Sequence, residues 1–361
     1  MQSQSNNPVA EPDDAVSGVA PACAQAVADP ARYVDRLVML PTVGSTNTRA
    51  RELFAAGVLA ASEPFPLDLL LADEQTAGRG RIGRTWTSGP RTSFLSSFVY
   101  RVPRAVVSGR LGGWLTTMAG VEAVETLRGI VHDAAGEEAA RHVGLAWPND
   151  VYWDDGKLGG ILTEAVPAGD IVASDDSASD DFAFDDSAID DESVVIVVGI
   201  GLNLFLDAQP TPIATSLHRH VPDLPDFDTL RRAIAAGIAR GMRRDMTRLV
   251  ESSRPEPPEV PQDFPDRAEA LSRTLGRRVE VTLPDGTRIR GRAEGILPTA
   301  ALLVARDDGG TTQVTAGDVG MLPARMDDTA AATSSGAAGG TARRRPVSGP
   351  CLRHIDDDAA S

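Results

Sequence analysis

Apolar residues recur at helical spacing in three stretches of this 361-residue chain. The first runs to about Ala56; Ser45 or Thr46 can cap it, and Gly57 stands where a helix would stop. Leu111, Trp114, Leu115, Met118, Val121 and Leu127 predict a second helix, closing at Gly129. Leu230, Ile234, Ile238, Met242, Met246 and Leu249 predict a third, with Asp228 as its cap. Short apolar runs predict strands at 36–40, 67–72, 93–100, 144–147, 158–166 and 194–204. After a proline-rich stretch at 253–261 the texture changes. Short β-runs at 278–283, 288–296, 302–305 and 312–315 are separated by turns such as Asp285-Gly286 and Asp308-Gly309, which signal hairpins. Some 50 residues of this kind suit a small barrel of SH3 type.

Three segments lack any such period. Residues 1–30 and 326–361 are rich in small and polar residues and read as disordered tails. Between 170 and 193, paired aspartates recur every five residues (Asp175-Asp176, Asp180-Asp181, Asp185-Asp186, Asp190-Asp191). Period five gives neither a helix nor a strand a buried face, and like charges extend the chain. This segment is expected to be a flexible acidic insert joining two strands. Arg343-Arg344-Arg345 reads as a solvated basic run or a nucleic-acid patch.

Composition narrows the field. The formal net charge of -16 repels nucleic acid unless one face is locally basic. No apolar run is long enough to span a bilayer, and no secretory signal is recognisable. The two cysteines, Cys23 and Cys351, fall in the tails, which excludes a disulfide framework and fits a reducing cytoplasm. His218 and His220 have the spacing of a metal pair, but no third ligand accompanies them, so no metal site is assigned.

Two places carry chemistry. Of the 35 basic residues, Lys157 is the single lysine, within Trp147-Pro148-Asn149-Asp150…Gly156-Lys157-Leu158-Gly159-Gly160. A compact ammonium differs from the guanidinium fork used elsewhere, and it suits a carboxylate or phosphate in a tight pocket. A turn lysine solvated beside Asp154 and Asp155 reads equally well on spacing alone. The second place is Gly78-Arg79-Gly80-Arg81-Ile82-Gly83-Arg84-Thr85-Trp86. Its glycines spell a dinucleotide fingerprint, yet Thr85 to Pro90 cannot open a helix and no acid follows near residue 100. A flexible loop whose Arg79, Arg81 and Arg84 fork onto phosphate or carboxylate oxygens is the better reading. Trp86 packs that loop or belongs to the core.

These segments, with Gly44-Ser45-Thr46-Asn47, Glu74-Gln75-Thr76-Ala77, Lys157-Leu158-Gly159-Gly160-Ile161-Leu162-x-Glu164 and Gly199-Ile200-Gly201-Leu202-Asn203, resemble in order the motifs of the biotin protein ligase family. The resemblance covers about residues 38–322. It implies an α+β fold: a catalytic domain at 31–270 like that of class II aminoacyl-tRNA synthetases, with mixed sheet and flanking helices, and an SH3-like domain at 271–325. It implies ATP and biotin as substrates, with Mg²⁺ accompanying ATP, giving biotinyl-5'-AMP and then a biotinylated lysine on a biotin carboxyl carrier domain. Carried over by motif, Lys157 and Arg81 are catalytic. Ser45, Thr46, Asn47, Gln75, Arg79, Gly80, Arg81 and Lys157 bind biotin. Gly78, Gly83, Arg84 and Trp86 belong to the adenylate loop, and Trp147, Asn149, Asp150 and Asn203 lie near ATP.

About 35 residues precede the first strand, too few for the DNA-binding domain of some family members, so no operator binding is expected. A homodimer is left open. The rival enzyme reading is a lipoate or octanoate ligase of the same superfamily. The rival from another class is a non-catalytic RNA-binding module. The absence of a second lysine marks the chain as the donor of biotin and not its carrier.

Overall fold

The computed structural model describes residues 29–60, 65–166, 193–206, 208–255 and 257–322. The tails, the triple arginine and the acidic segment 170–192 lie outside the described residues. Among those described, the elements in order are β1 (Arg36–Leu40), α1 (Thr46–Ala55), β2 (Leu67–Ala72), β3 (Gly78–Arg79), β4 (Thr85–Trp86), β5 (Ser93–Pro103), α2 (Arg104–Val107) and α3 (Gly112–Ala140). There follow β6 (Val143–Ala146), β7 (Asp150–Trp153), β8 (Gly156–Val166), β9 (Ser193–Asn203), α4 (Leu217–His220), α5 (Phe227–Ser252) and α6 (Asp263–Ala270). The C-terminal strands are β10 (Arg278–Thr282), β11 (Arg288–Ile296), β12 (Leu302–Arg306), β13 (Thr311–Val314) and β14 (Asp318–Met321).

A seven-stranded sheet runs β1-β2-β5-β9-β8-β7-β6. Within it β1 and β2, joined through α1, pair in parallel; the other neighbours are antiparallel, so the sheet is mixed. Period-two alternation gives its faces different work. Phe94, Phe98, Tyr100, Ile196, Val198, Ile200 and Leu202 belong to the main core with Trp114, Met118, Ile234 and Ile238 of α3 and α5. On the other face Val99, Val166, Val195 and Val197 form a smaller cluster with Ala50 of α1. Toward the other end of this face the register aligns Ser97 with Gly199, Gly199 with Leu162, and Gly201 with Gly160. There the side chains shrink and the sheet opens into a cavity.

The C-terminal strands form a five-stranded antiparallel sheet, β13-β12-β11-β10-β14. It is docked closely. Trp114 Nε1 donates to Pro298 O and Trp147 Nε1 to Ala300 O, both at 2.8 Å. Val279, Val281, Leu302 and Val304 join the main core.

The expected strands all form, and β3, β4, β7 and β14 are additions; β3 and β4 pair where a flexible loop was expected. Two helix boundaries differ from expectation. α3 does not close at Gly129. Val131 is fully buried, and Ile130 and Ala134 pack against the core, so burial outweighs the roughly 1 kcal/mol helix cost of one glycine. The helical dihedrals break instead at Gly136, with φ 85°. The cap of α5 is Asp226, whose side chain accepts from the amides of Asp228 and Thr229. Asp228 pairs with Arg91 and Arg231 instead.

Between α3, α5 and α6 lies a charge cluster built on the buried carboxyls of Glu122 and Asp245. Glu122 Oε1 accepts from Arg244 and Arg267, and Arg267 also reaches Asp245 at 2.8 Å. Burial, and a carboxyl hydrogen bond to Asp245, push Glu122 up to about 8, while Asp245 is lowered. A carboxyl group raised in the fold binds a proton that the unfolded chain has already released, so stability falls as pH rises through that window. The melting temperature should therefore decline between pH 5 and 8. Glu122→Gln mimics the protonated acid and should flatten that decline in a thermal melt series.

Candidate active site

The cavity, of about 330 Å³, lies on the glycine-bearing face of the sheet. That volume suits a small organic ligand. One wall is the start of α1. Its first residues are held by the segment after β2, because Thr76 N donates to Val43 O and Ala77 N to Gly44 O. Ser45 occupies the N-cap position without a side-chain capping bond. Thr46 donates to Gln75 Oε1 from its amide at 2.7 Å and its hydroxyl at 3.0 Å. The Gln75 carbonyl is thereby occupied, which orients its amide NH₂.

Asn47 is committed to the protein. Its Nδ2 donates to Leu162 O and to Glu164 Oε2 at 2.6 Å, and its Oδ1 accepts from Ser97 Oγ. A Cβ at position 199 would lie 2.4 Å from Asn47 Oδ1, so only glycine lets this side chain descend onto the sheet.

The glycine-arginine segment is a short hairpin of β3 and β4, closed by Gly80 N to Arg84 O at 2.7 Å and Arg84 N to Arg81 O at 3.1 Å. Ile82 and Gly83 both have positive φ, 55° and 65°. That pair is the type I′ geometry, which suits glycine and strains a β-branched residue. Trp86 lies across the sheet, its ring carbons 2.8 Å from where a Cβ of Gly201 would stand. Arg84 pairs with Asp318 of β14, so the hairpin touches the C-terminal sheet.

Opposite the hairpin, Lys157 Nζ donates to Asp150 Oδ2 at 2.6 Å. Lys157 also carries the segment over the cavity: its amide donates to Ile213 O, and its carbonyl accepts from Thr215 N. Arg81 Nη1 donates to Asn149 Oδ1 at 2.8 Å, and Asn149 Nδ2 donates back to Ile161 O. Asn203 Nδ2 holds Thr215 O at 3.1 Å, while its buried Oδ1 makes no hydrogen bond among the described residues.

Thirteen of the expected residues therefore line one cavity: Ser45, Thr46, Asn47, Gln75, Arg79, Gly80, Arg81, Arg84, Trp86, Asn149, Asp150, Asn203 and Lys157. Gly78, Gly83 and Trp147 do not line it. A Cβ on Gly78 would stand 2.4 Å from Trp86 O, so Gly78 serves the close approach of the two hairpin strands. Trp147 is buried against the C-terminal sheet, and its amide donates to Thr274 Oγ1. Sequence reasoning did not assign Ser96, Thr85, Thr87, Pro210, Thr211, Ile213, Ala214 or Asp318 to the wall. The 210–214 segment has no motif; it is placed by the backbone bond from Lys157 N to Ile213 O and by Gln209 Nε2 donating to Ala214 O. Among lining side chains, Arg79, Arg81, Arg84 and Lys157 face only Asp150 and Asp318 as carboxylates. A chain of net charge -16 thus presents a locally cationic pocket, suited to an anionic ligand. His218 and His220 do not converge: His220 stacks on Trp153, and His218 tilts over Phe205.

An alternation of glycines under a cationic hairpin, on a mixed sheet locked to a second sheet, defines a class. The profile of the biotin/lipoate A/B protein ligase family matches residues 41–174, and that of the biotin protein ligase C-terminal domain matches 274–321. The biotin–[acetyl-CoA-carboxylase] ligase of Mycobacterium tuberculosis is 32% identical over 79% of this chain and 88% of its own. The chain belongs to the biotin protein ligase family. The bifunctional ligase/repressor BirA of Escherichia coli is 26% identical over 75% of this chain and 70% of its own. Among solved structures, the biotin protein ligase of Aquifex aeolicus in complex with biotin and ATP shares the fold, with TM-score 0.55 and 22% identity over 80% of this chain and all of that one.

Gly201→Ala should displace the Trp86 indole. Isothermal titration should show ligand binding weakened at least about tenfold, the loss expected when a positioned wall moves. The melting temperature should change by only a few degrees.

Proposed function

We propose that the cavity joins biotin to ATP, forming biotinyl-5'-AMP and pyrophosphate, and then transfers biotin to a lysine of a carboxyl carrier domain. The observation carrying this reading is the convergence of Lys157, Arg79 and Arg81 on a cavity walled by Ser45, Thr46 and Gln75. Short donors and acceptors suit the planar ureido ring. The cations meet the harder requirement, since a carboxylate must approach a phosphate and both are anions. In the first step a carboxylate oxygen of biotin bonds to the α-phosphorus, and the bond to pyrophosphate breaks. In the second the acceptor amine attacks the biotinyl carbonyl, and AMP leaves.

Lys157 begins paired to Asp150, and an incoming anion competes for that same Nζ. Asp150 holds the ammonium at the wall until then. Arg81, fixed through Asn149, is placed for the phosphate. The hairpin shields the adenylate from water. ATP enters as its magnesium complex. The ATP phosphates would carry that ion into the cavity, where Asp150 and Asp318, the carboxylates of the wall among the described residues, are both paired with cations. We read the catalytic region, 31–270, as related to class II aminoacyl-tRNA synthetases and the C-terminal region, 271–325, as an SH3-like domain. We place the enzyme in the cytoplasm, where ATP and the carrier domain meet. No helix among the described residues is long and apolar enough to cross a membrane.

Pyrophosphate release from ATP should require biotin and fail with lipoate or with no acid; release with lipoate alone would reassign the substrate. Lys157→Arg should cut adenylate formation by roughly 10²-fold or more, as removal of a preorganised charge does. Single-turnover measurement of biotinyl-5'-AMP checks it, and a wild-type rate would remove Lys157 from the step.

A further inference from the structure

Glu164 has no part in the chemistry above, yet it is a buried acid set against two residues of the cavity wall, Asn47 and Arg79. It follows Gly160 and Leu162 on the cavity face of β8, and its side chain is 3% exposed. Oε2 accepts from Asn47 Nδ2 at 2.6 Å. Oε1 makes no hydrogen bond among the described residues. Asn47 has no more to offer, since its amide already serves Leu162 O and Ser97 Oγ. The cation at hand is Arg79, whose Nη1 stands 3.8 Å from Oε1. A charge-assisted bond closes near 2.8 Å, so the guanidinium lies roughly 1 Å short of it.

We propose that Glu164 is a positioning residue: its buried carboxylate draws Arg79 inward and latches the hairpin of residues 78–86 over the cavity. A carboxylate with one oxygen unpaired in the interior is costly, and Arg79 is the group able to relieve it. The hairpin needs such an anchor, because its turn holds Ile82 in a left-handed conformation that a β-branched residue resists. Only part of the guanidinium fork is used by Glu164. Its remaining N–H groups stay at the cavity wall, where Arg79 is 31% exposed. Glu164 thus acts through Arg79 and touches no ligand.

The latch rests on the biotin reading only for its kinetic arm. Biotin-dependent pyrophosphate release by the wild-type enzyme tests that reading separately. Glu164→Gln keeps the shape and an acceptor for Asn47 but removes the charge. It should raise KM for biotin about tenfold while kcat changes less than about threefold, the signature of lost positioning in the bound state. Arg79→Gln, which also takes a cation from the cavity wall, should lose at least as much, and the double variant should be no worse than Arg79→Gln alone. Additive losses, a wild-type KM in Glu164→Gln, or a parallel fall of kcat and melting temperature would each overturn the latch. A second arm needs no ligand and no change at Glu164. Trypsin cleavage after Arg81 and Arg84, read by peptide mass, should be faster in Arg79→Gln than in wild type. It should stay slow in Arg79→Lys, which retains a cation. Equal cleavage of Arg79→Gln and wild type counts against the proposal.

Discussion

The site depends on a stretch of sheet from which side chains have been removed. Gly160, Gly199 and Gly201 sit on one face of two neighbouring strands, aligned by the β8–β9 register. Close packing would ordinarily fill such a face. Here the missing volume is shared between a ligand cavity and two side chains from elsewhere: Asn47 settles over Gly199, and the Trp86 indole over Gly201. Once they are placed, the rest follows. Asn47 fixes the start of α1 against β8 and β5, and Trp86 fixes the hairpin that brings three arginines to the rim. The opposite face of the same strands keeps Ile196, Val198, Ile200 and Leu202, and so keeps the core. One strand thereby supplies both stability and an opening, on alternate residues.

The C-terminal sheet takes part in this arrangement. Trp114 and Trp147 are each bonded to backbone carbonyls of the 298–300 turn, and a Cβ on Gly113 would meet Thr299 O at 2.6 Å. The same sheet presents Asp318 to Arg84. The apolar contact joins the C-terminal strands to the main core, and the Arg84–Asp318 pair joins them to the hairpin whose turn holds Ile82 at positive φ.

Much of this was legible in the sequence, for identifiable reasons. Strands such as Arg36–Leu40 and Leu67–Ala72 are short apolar runs bounded by polar residues, and they form where periodicity places them. The motif residues come together because the glycines and arginines that carry them are locally unusual. What was not legible is non-local. Gly129 looks like a helix end until Val131 finds the core on the far side of it. Asp226 and Asp228 are equivalent as caps until Arg91 and Arg231 claim the second. Trp147 sits in a motif beside Asn149 and Asp150, and nothing in that spacing reveals that its indole turns toward Ala300. The 210–214 wall and Asp318 carry no signal at all, since backbone pairing and sheet docking put them there.

The lone lysine acquires a different meaning beside its surroundings. An acyl-adenylate acylates amines readily, and an enzyme that makes one is exposed to its own product. This chain meets the demand for surface cations with arginine, whose guanidinium stays protonated and is a poor nucleophile. The one ε-amine it does possess is engaged with Asp150 inside the pocket. Amine chemistry of lysine type is thereby confined to one residue of the chain, and that residue lines the cavity itself with its ammonium held by Asp150.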